Sequence, residues 1–82
     1  MNYEEIKKEI QDIFRDVFDD PELEIDDQTA AGNMPRWDSL NHVILISGIE
    51  KKYGIKFDLD DMLNTRTVSD ICHAVIRLSG KR

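Results

Sequence analysis

Apolar residues recur at helical spacing near the start of the chain. They are Ile6, Ile10, Ile13, Phe14, Val17 and Phe18. Because spacings of three and four residues return a side chain to the same side of an α-helix, these residues form one stripe, with charged residues on the other faces. The residue before a proline is pushed out of the helical conformation, so Pro21 predicts that this helix ends before position 21.

No helical period is present between Asp19 and Trp37. Gly32, Asn33 and Pro35 are turn-forming residues near the end of this segment. A loop of this length is uncommon in a small domain and is often functional.

A second helix is predicted to begin after Asp38, a favourable N-cap residue, and to end at Gly54, a favourable C-cap residue. We expect its apolar side chains to form one broad core-facing surface: Leu40, Val43, Ile44, Ile46, Ile49 and Tyr53. Leu40 is expected to anchor the first turn in the core.

Two further helices follow. Asp58 is a suitable cap for a short helix through Leu63, in which Met62 and Leu63 are expected to be buried. Thr67 and Asp70 form a variant capping box at the start of the last helix. Its apolar stripe consists of Val68, Ile71, Cys72, Val75 and Ile76. The pattern predicts an all-α fold in a single domain, residues 1–82: a small helical bundle of three main helices plus one short helix, with a long loop between the first and second helices.

Composition and charge narrow the function. The chain has 11 Lys+Arg against 17 Asp+Glu, a net charge of −6, whereas a nucleic-acid-binding protein needs a basic face. No apolar run approaches the ~20 residues of a membrane span, and the N-terminus lacks the apolar segment of a signal peptide. We therefore expect a cytoplasmic protein with no nucleic-acid or membrane partner, and nothing in the sequence demands more than a monomer.

No metal site is predicted. The single cysteine and two histidines do not provide a zinc site. Asp58, Asp60 and Asp61 resemble the start of a calcium loop, but Leu63 and Ser69 occupy the positions where that loop requires glycine and glutamate.

Ser39 is the residue of greatest chemical interest. It follows the long loop and lies in the first turn of the second helix, beside unpaired backbone N–H groups and the positive end of the helix dipole. A phosphate attached there would be stabilised, although serines near helix starts are also common for structural reasons. His42 lies one turn later, but a hydrolytic pair needs a water-excluding cleft that a core of this size does not offer. We expect no catalytic residues.

The segment Trp37-Asp38-Ser39-Leu40-Asn41-His42-Val43, followed by Leu45 and Glu50, resembles the acyl carrier protein family. The helix order and the chain length also match, so the resemblance covers essentially all 82 residues. It implies a carrier rather than an enzyme. A phosphopantetheinyl transferase would attach 4'-phosphopantetheine from coenzyme A to Ser39, and the thiol of this arm would hold an acyl group as a thioester.

The resemblance also assigns the neighbouring residues. Asp38 and Leu40 flank the attachment site, with Asp38 assisting the transferase. Trp37, Asn41 and His42 are candidates for recognition by partners, which are the transferase and the acyl-loading and acyl-processing enzymes.

Two features depart from carriers of housekeeping fatty-acid synthesis, which usually have a small residue before Asp-Ser-Leu and an acidic residue after it. This chain has Trp37 and Asn41 at those positions, and it has no acidic residue between Ser39 and Ile49. Because Asp38 and Glu50 are balanced by Lys51 and Lys52, the segment from Asp38 to Tyr53 is formally neutral. We predict a dedicated carrier of polyketide or other specialised acyl biosynthesis, with the acidic loop segment 22–27 available to steer the transferase.

Two alternatives stay open. An aminoacyl or aryl carrier loaded by an adenylating enzyme would share the motif, because the loading enzyme chooses the cargo. From a different class, a small helical interaction module without the arm would share the fold.

Overall fold

A computed structural model describes residues 2–80 and shows four α-helices in that range. They are α1 (Tyr3–Val17), α2 (Ser39–Tyr53), α3 (Leu59–Asn64) and α4 (Val68–Ser79), and a short 3-10 turn, Ala31–Asn33, lies in the loop between α1 and α2. The predicted bundle of three main helices and one short helix is confirmed. Among the described residues, no helix has the length and apolarity needed to cross a bilayer.

The core forms where α1 packs against both α2 and α4. Each helix contributes its apolar stripe, and the fully buried side chains are Ile6, Ile10, Phe14, Leu45, Ile46, Ile49, Val68, Ile71, Cys72 and Val75. Full burial of a large aliphatic or aromatic side chain stabilises a fold by roughly 1.5–3 kcal/mol relative to exposure. The three long helices therefore hold one another, whereas α3 contributes no fully buried side chain.

The predicted caps at Asp38, Gly54, Asp58 and Thr67 are confirmed, because they depend on local chemistry, whereas α3 ends one residue later than predicted, at Asn64. The four N-cap residues, whose side chains accept hydrogen bonds from first-turn amides, are Asn2, Asp38, Asp58 and Thr67. Thr67 and Asp70 form the expected reciprocal capping box, and a second box joins Asp58 to Asp61. Gly54 ends α2 in the left-handed conformation, with φ 64°.

Polar contacts with α1 hold the first half of the long loop, residues 18–38. The Arg15 Nε donates to the Leu23 carbonyl at 2.7 Å. The Ile25 N–H donates to the side-chain oxygen of Gln11 at 2.9 Å. The loop backbone is therefore attached to the helix that precedes it.

The middle of the loop is attached to the starts of α1 and α4. The Tyr3 hydroxyl donates to Asp27 at 2.8 Å, and burial raises the pKa of Tyr3 to about 12, which keeps this donor protonated. The Val68 N–H donates to the Thr29 carbonyl at 2.9 Å. These contacts hold the loop along the bundle and fix the direction in which the chain reaches α2.

The predicted burial is wrong at four apolar positions. Leu40, Val43 and Ile44 of α2 are 70%, 50% and 47% exposed, and Leu63 of α3 is 60% exposed. Met62 is only half-buried. For the three residues of α2 the reason is geometric: α2 has apolar residues around most of its circumference, and its neighbours cover only one arc of it. Leu63 is exposed because the short helix α3 turns Met62, and not Leu63, towards the core.

Leu45, Ile46, Ile49 and Tyr53 occupy the covered arc of α2. The remaining apolar residues form two exposed apolar rows, Leu40, Val43 and Ile44 on α2 and Leu59 and Leu63 on α3. Val43 and Ile44 follow Leu40 by three and four residues, and Leu63 follows Leu59 by four, so each row lies on one side of its helix.

We expect Gly54→Ala to lower the free energy of unfolding by about 1–2 kcal/mol, because a side chain disfavours the left-handed conformation at this position. Gly32→Ala is the matched control, since an added methyl group there would contact nothing within 4 Å. Urea denaturation followed by circular dichroism measures both variants. Equal stabilities of the two variants would contradict the assigned role of Gly54.

Candidate functional site

Ser39 is the first residue of α2, and its side chain is exposed. The helix is capped by the residue before it: the Asp38 carboxylate accepts from the Asn41 N–H at 2.9 Å. Asp38 itself has extended backbone geometry, with φ −98° and ψ −176°. The cap is therefore made without the Ser39 hydroxyl, which leaves that hydroxyl free for chemistry.

Asn41 holds the chain that leads into this turn. Its side-chain amide donates to the Arg36 carbonyl at 2.8 Å, and the Trp37 N–H donates to the Met34 carbonyl at 2.9 Å. Asn41 is half-buried. The predicted role of Asn41 in partner recognition stays a prediction, beside this observed structural one.

Trp37 anchors the start of α2 in the core, which is the role that was expected of Leu40. Its side chain is only 3% exposed, and its ring packs edge-on against Phe14 with centroids 5.1 Å apart. Such aromatic pairs contribute about 0.5–1.5 kcal/mol beyond burial of area. The structure thus gives Trp37 a packing role, and burial leaves it little surface for the predicted contact with partners.

Both ring nitrogens of His42 have partners close by. The Trp37 indole N–H donates to His42 Nδ1 at 2.9 Å. His42 Nε2 lies 3.2 Å from the Met62 carbonyl and 3.3 Å from the hydroxyl of Thr65, which is only 4% exposed. The imidazole is thus bound to the loop end and to the C-terminal end of α3. It is not free to activate Ser39, which argues against the hydrolase interpretation.

An open cleft of about 360 Å³ lies beside Ser39, between the start of α2 and α3. One wall of the cleft is formed by α2 and the residues before it: Trp37, Asp38, Ser39 and His42. The opposite wall is formed by α3 and the residues after it: Met62, Leu63, Thr65 and Arg66. The second group was missed at the sequence level. No periodicity marks it, because Thr65 and Arg66 lie between two helices.

The other candidate groups have structural roles. Asp58 and Asp61 form the capping box of α3, and Asp61 also accepts from Arg77, whose guanidinium lowers the pKa of that carboxyl. Cys72 is fully buried, and burial raises the pKa of its thiol to about 11, so it is a poor nucleophile at neutral pH. Ser39 is thus the reactive group that the site presents.

Comparisons with known proteins agree with this geometry. A family model described as a phosphopantetheine attachment site matches residues 8–75. The solution NMR structure of a holo acyl carrier protein from Geobacter metallireducens is similar, with a TM-score of 0.85 and 33% sequence identity over 93% of this chain and 87% of that one. A comparison with curated proteins found no match.

We expect Asp38→Ala and Ser39→Ala to differ in stability. Loss of the Asp38 cap should lower the free energy of unfolding by about 1 kcal/mol, whereas Ser39→Ala should leave it nearly unchanged, because the hydroxyl is not the cap. Thermal unfolding of both variants tests this difference. A larger loss in Ser39→Ala than in Asp38→Ala would mean that the serine is structural.

Proposed function

This chain belongs to the acyl carrier protein family, and on that premise we propose that Ser39 is the residue that carries its 4'-phosphopantetheine arm. The observation that carries the proposal is the exposed Ser39 side chain at the first position of α2, left out of the helix cap by Asp38. Members of this family are carriers rather than enzymes. The arm, when attached, supplies a thiol for thioester chemistry.

The surroundings of Ser39 suit an attached phosphodiester. Backbone N–H groups at a helix start stabilise a negative charge, and the Asp38 cap engages the Asn41 N–H alone in this turn. The first turn of α2 carries no acidic residue that would repel the phosphate. In the transfer reaction the Ser39 hydroxyl would lose its proton to a base of the transferase and its oxygen would bond to the phosphorus next to pantetheine, while the P–O bond of the diphosphate breaks and the nucleotide portion of coenzyme A leaves.

We propose that the cargo is an acyl group and that the pathway is a specialised one. The acyl cargo is supported by the similarity to a holo acyl carrier protein. The specialised pathway is supported by the sequence of α2, in which Glu50 is the only acidic residue. A carrier of this kind would be served by its own acyl-loading and acyl-processing enzymes.

Partner enzymes, including the phosphopantetheinyl transferase, are proposed to dock on the exposed apolar rows. Leu40 directly follows Ser39, and Leu63 lines the cleft beside it, so an enzyme that reaches the serine must come close to both rows. Glu22, Glu24 and Asp26 of the acidic loop are exposed and are available for long-range steering. Apolar contact near Ser39 and electrostatic steering by the acidic loop would then contribute separately to the binding of partner enzymes.

The carrier is proposed to act as a cytoplasmic monomer. Its one cysteine is buried and free, as is common in a reducing compartment. The exposed apolar rows are assigned to transient partners rather than to a second copy of the chain.

We expect incubation with coenzyme A and a broad-specificity phosphopantetheinyl transferase to add one phosphopantetheinyl group, read as the gain in intact mass. Ser39→Ala should abolish the gain. Ser47→Ala is the matched control, because Ser47 is an exposed serine of the same helix and should leave the modification unchanged. Failure of the wild-type chain to gain mass with a competent transferase would favour the interaction module without the arm.

We also expect recognition by the transferase to depend on apolar contact more than on charge in α2. Ile44→Asn should raise the KM for the carrier roughly fivefold, the effect of about 1 kcal/mol of lost apolar burial. Ser47→Asn, a polar substitution at an exposed position of the same helix, should leave the KM unchanged.

Added salt should raise the KM less steeply than for a carrier whose second helix is acidic. An equally steep salt dependence would contradict this account of α2.

A further inference from the structure

We propose that His42 is a positioning residue whose neutral imidazole clamps α3 to the start of α2 and thereby fixes the cleft beside Ser39. The clamp consists of Trp37, His42, Met62 and Thr65. The hydrogen bonds alone support the clamp as a structural feature. Only its effect on the modification of Ser39 rests on the proposed function.

The hydrogen bond from Trp37 determines which nitrogen of His42 carries the proton. An indole N–H is a donor only, so His42 Nδ1, at 2.9 Å from it, must be the unprotonated acceptor. In a neutral imidazole the proton is then on Nε2. Nε2 donates to the Met62 carbonyl, 3.2 Å away.

The Met62 carbonyl needs such a donor. It lies within the last four residues of α3, where backbone carbonyls have no partner inside the helix. The Thr65 hydroxyl donates to the same oxygen at 3.0 Å. His42 and Thr65 together satisfy the Met62 carbonyl at the end of this short helix.

The clamp matters because α3 has few other contacts with the bundle, among them the packing of the half-buried Met62 against the core. The helix has six residues and none of them is fully buried, and a helix this short is not stable by itself in water. Its N-terminal half is held by the Asp58 capping box and by the contact of Asp61 with Arg77. His42 supplies the link from its C-terminal end to α2.

The position of α3 determines the shape of the surface around Ser39. Met62 and Leu63 line the cleft, and Leu59 and Leu63 form the second exposed apolar row. If the clamp is lost, an approaching enzyme must order α3 during binding, which weakens association. The step that follows on the Ser39 hydroxyl should be unaffected, since His42 does not activate it.

The first test is the protonation state of His42 in the wild-type chain, read from its imidazole nitrogen resonances by NMR. We expect an unprotonated Nδ1 and a protonated Nε2. A proton on Nδ1, or resonances that show exchange of the proton between Nδ1 and Nε2, would overturn the clamp. This test needs neither the arm nor a transferase.

Three substitutions separate the two hydrogen bonds. His42→Phe keeps a ring and removes both bonds, His42→Asn keeps an acceptor near Nδ1 but is too short to reach Met62, and His42→Gln keeps a donor near Nε2. His73→Phe is the control, because it changes the chain's other histidine, an exposed residue of α4. Amide hydrogen exchange over residues 59–65 and the steady-state kinetics of modification are the two readouts.

We expect His42→Phe and His42→Asn to speed exchange in α3 and to raise the KM for the carrier roughly fivefold at unchanged kcat, the effect of about 1 kcal/mol of hydrogen bonding. His42→Gln should stay closer to wild type, and His73→Phe should match wild type. Equal KM values for His42→Phe and wild type would overturn the proposal. It would also be overturned if His42→Gln raised the KM and the exchange rate in α3 as much as His42→Phe does.

The failure of each proposal is separately visible. If the wild-type chain is not modified at all, the proposed function fails, and the clamp is judged by the imidazole resonances and by exchange in α3. If the wild-type chain is modified and the His42 variants show neither faster exchange nor a higher KM, the clamp fails alone. Should His42→Phe not fold, His42→Gln and His42→Asn provide the comparison.

Discussion

Burial of Trp37 is the constraint on which the site depends. The indole packs edge-on against Phe14 of α1 and takes the last residue but one of the loop into the core. The chain then turns into α2, and the next three residues, Asp38 to Leu40, remain exposed. Because the anchor precedes the helix, the first turn of α2 is held firmly while its own side chains, including the Ser39 hydroxyl, stay accessible.

The same anchor creates a requirement that the rest of the site meets. A buried indole N–H is costly without an acceptor, and His42 supplies one from the second turn of α2. Its other nitrogen is then directed to the end of α3. Burial of Trp37 thus connects, through two hydrogen bonds of His42, to the C-terminal end of α3, a helix with no fully buried residue.

The sequence predicts the parts of the fold that local chemistry controls. Asp38, Thr67 and Gly54 act within one helical turn, so their roles as caps are readable from neighbours along the chain. The exposure of Leu40 and Leu63 could not be read in this way, because it depends on which side of α2 and of α3 the rest of the bundle covers. Ser39 was proposed from its place after the loop, together with the resemblance of its motif to carrier proteins, and its exposure at the start of α2 agrees with that proposal.

The clamp lay beyond prediction for a different reason. His42 and Met62 are 20 positions apart, and neither periodicity nor a motif relates a histidine in α2 to a carbonyl at the end of α3. Thr65 is a buried polar residue in a connection between helices, where sequence patterns indicate an exposed turn. Such contacts follow only from the tertiary arrangement.

The polar groups around Ser39 explain why this site suits a carrier and not an enzyme. Asp38 is used by the cap, Asn41 by the Arg36 carbonyl, and both nitrogens of His42 by the clamp. A catalyst needs at least one such group free to exchange protons with a substrate. Here each of them instead holds the structure around the Ser39 hydroxyl, and in the proposed function another protein performs the chemistry on that hydroxyl. In the proposed function, the hydrogen bonds of Asp38 and Asn41 hold the backbone around Ser39, and the exposed apolar rows beside it give the modifying enzyme a surface to bind.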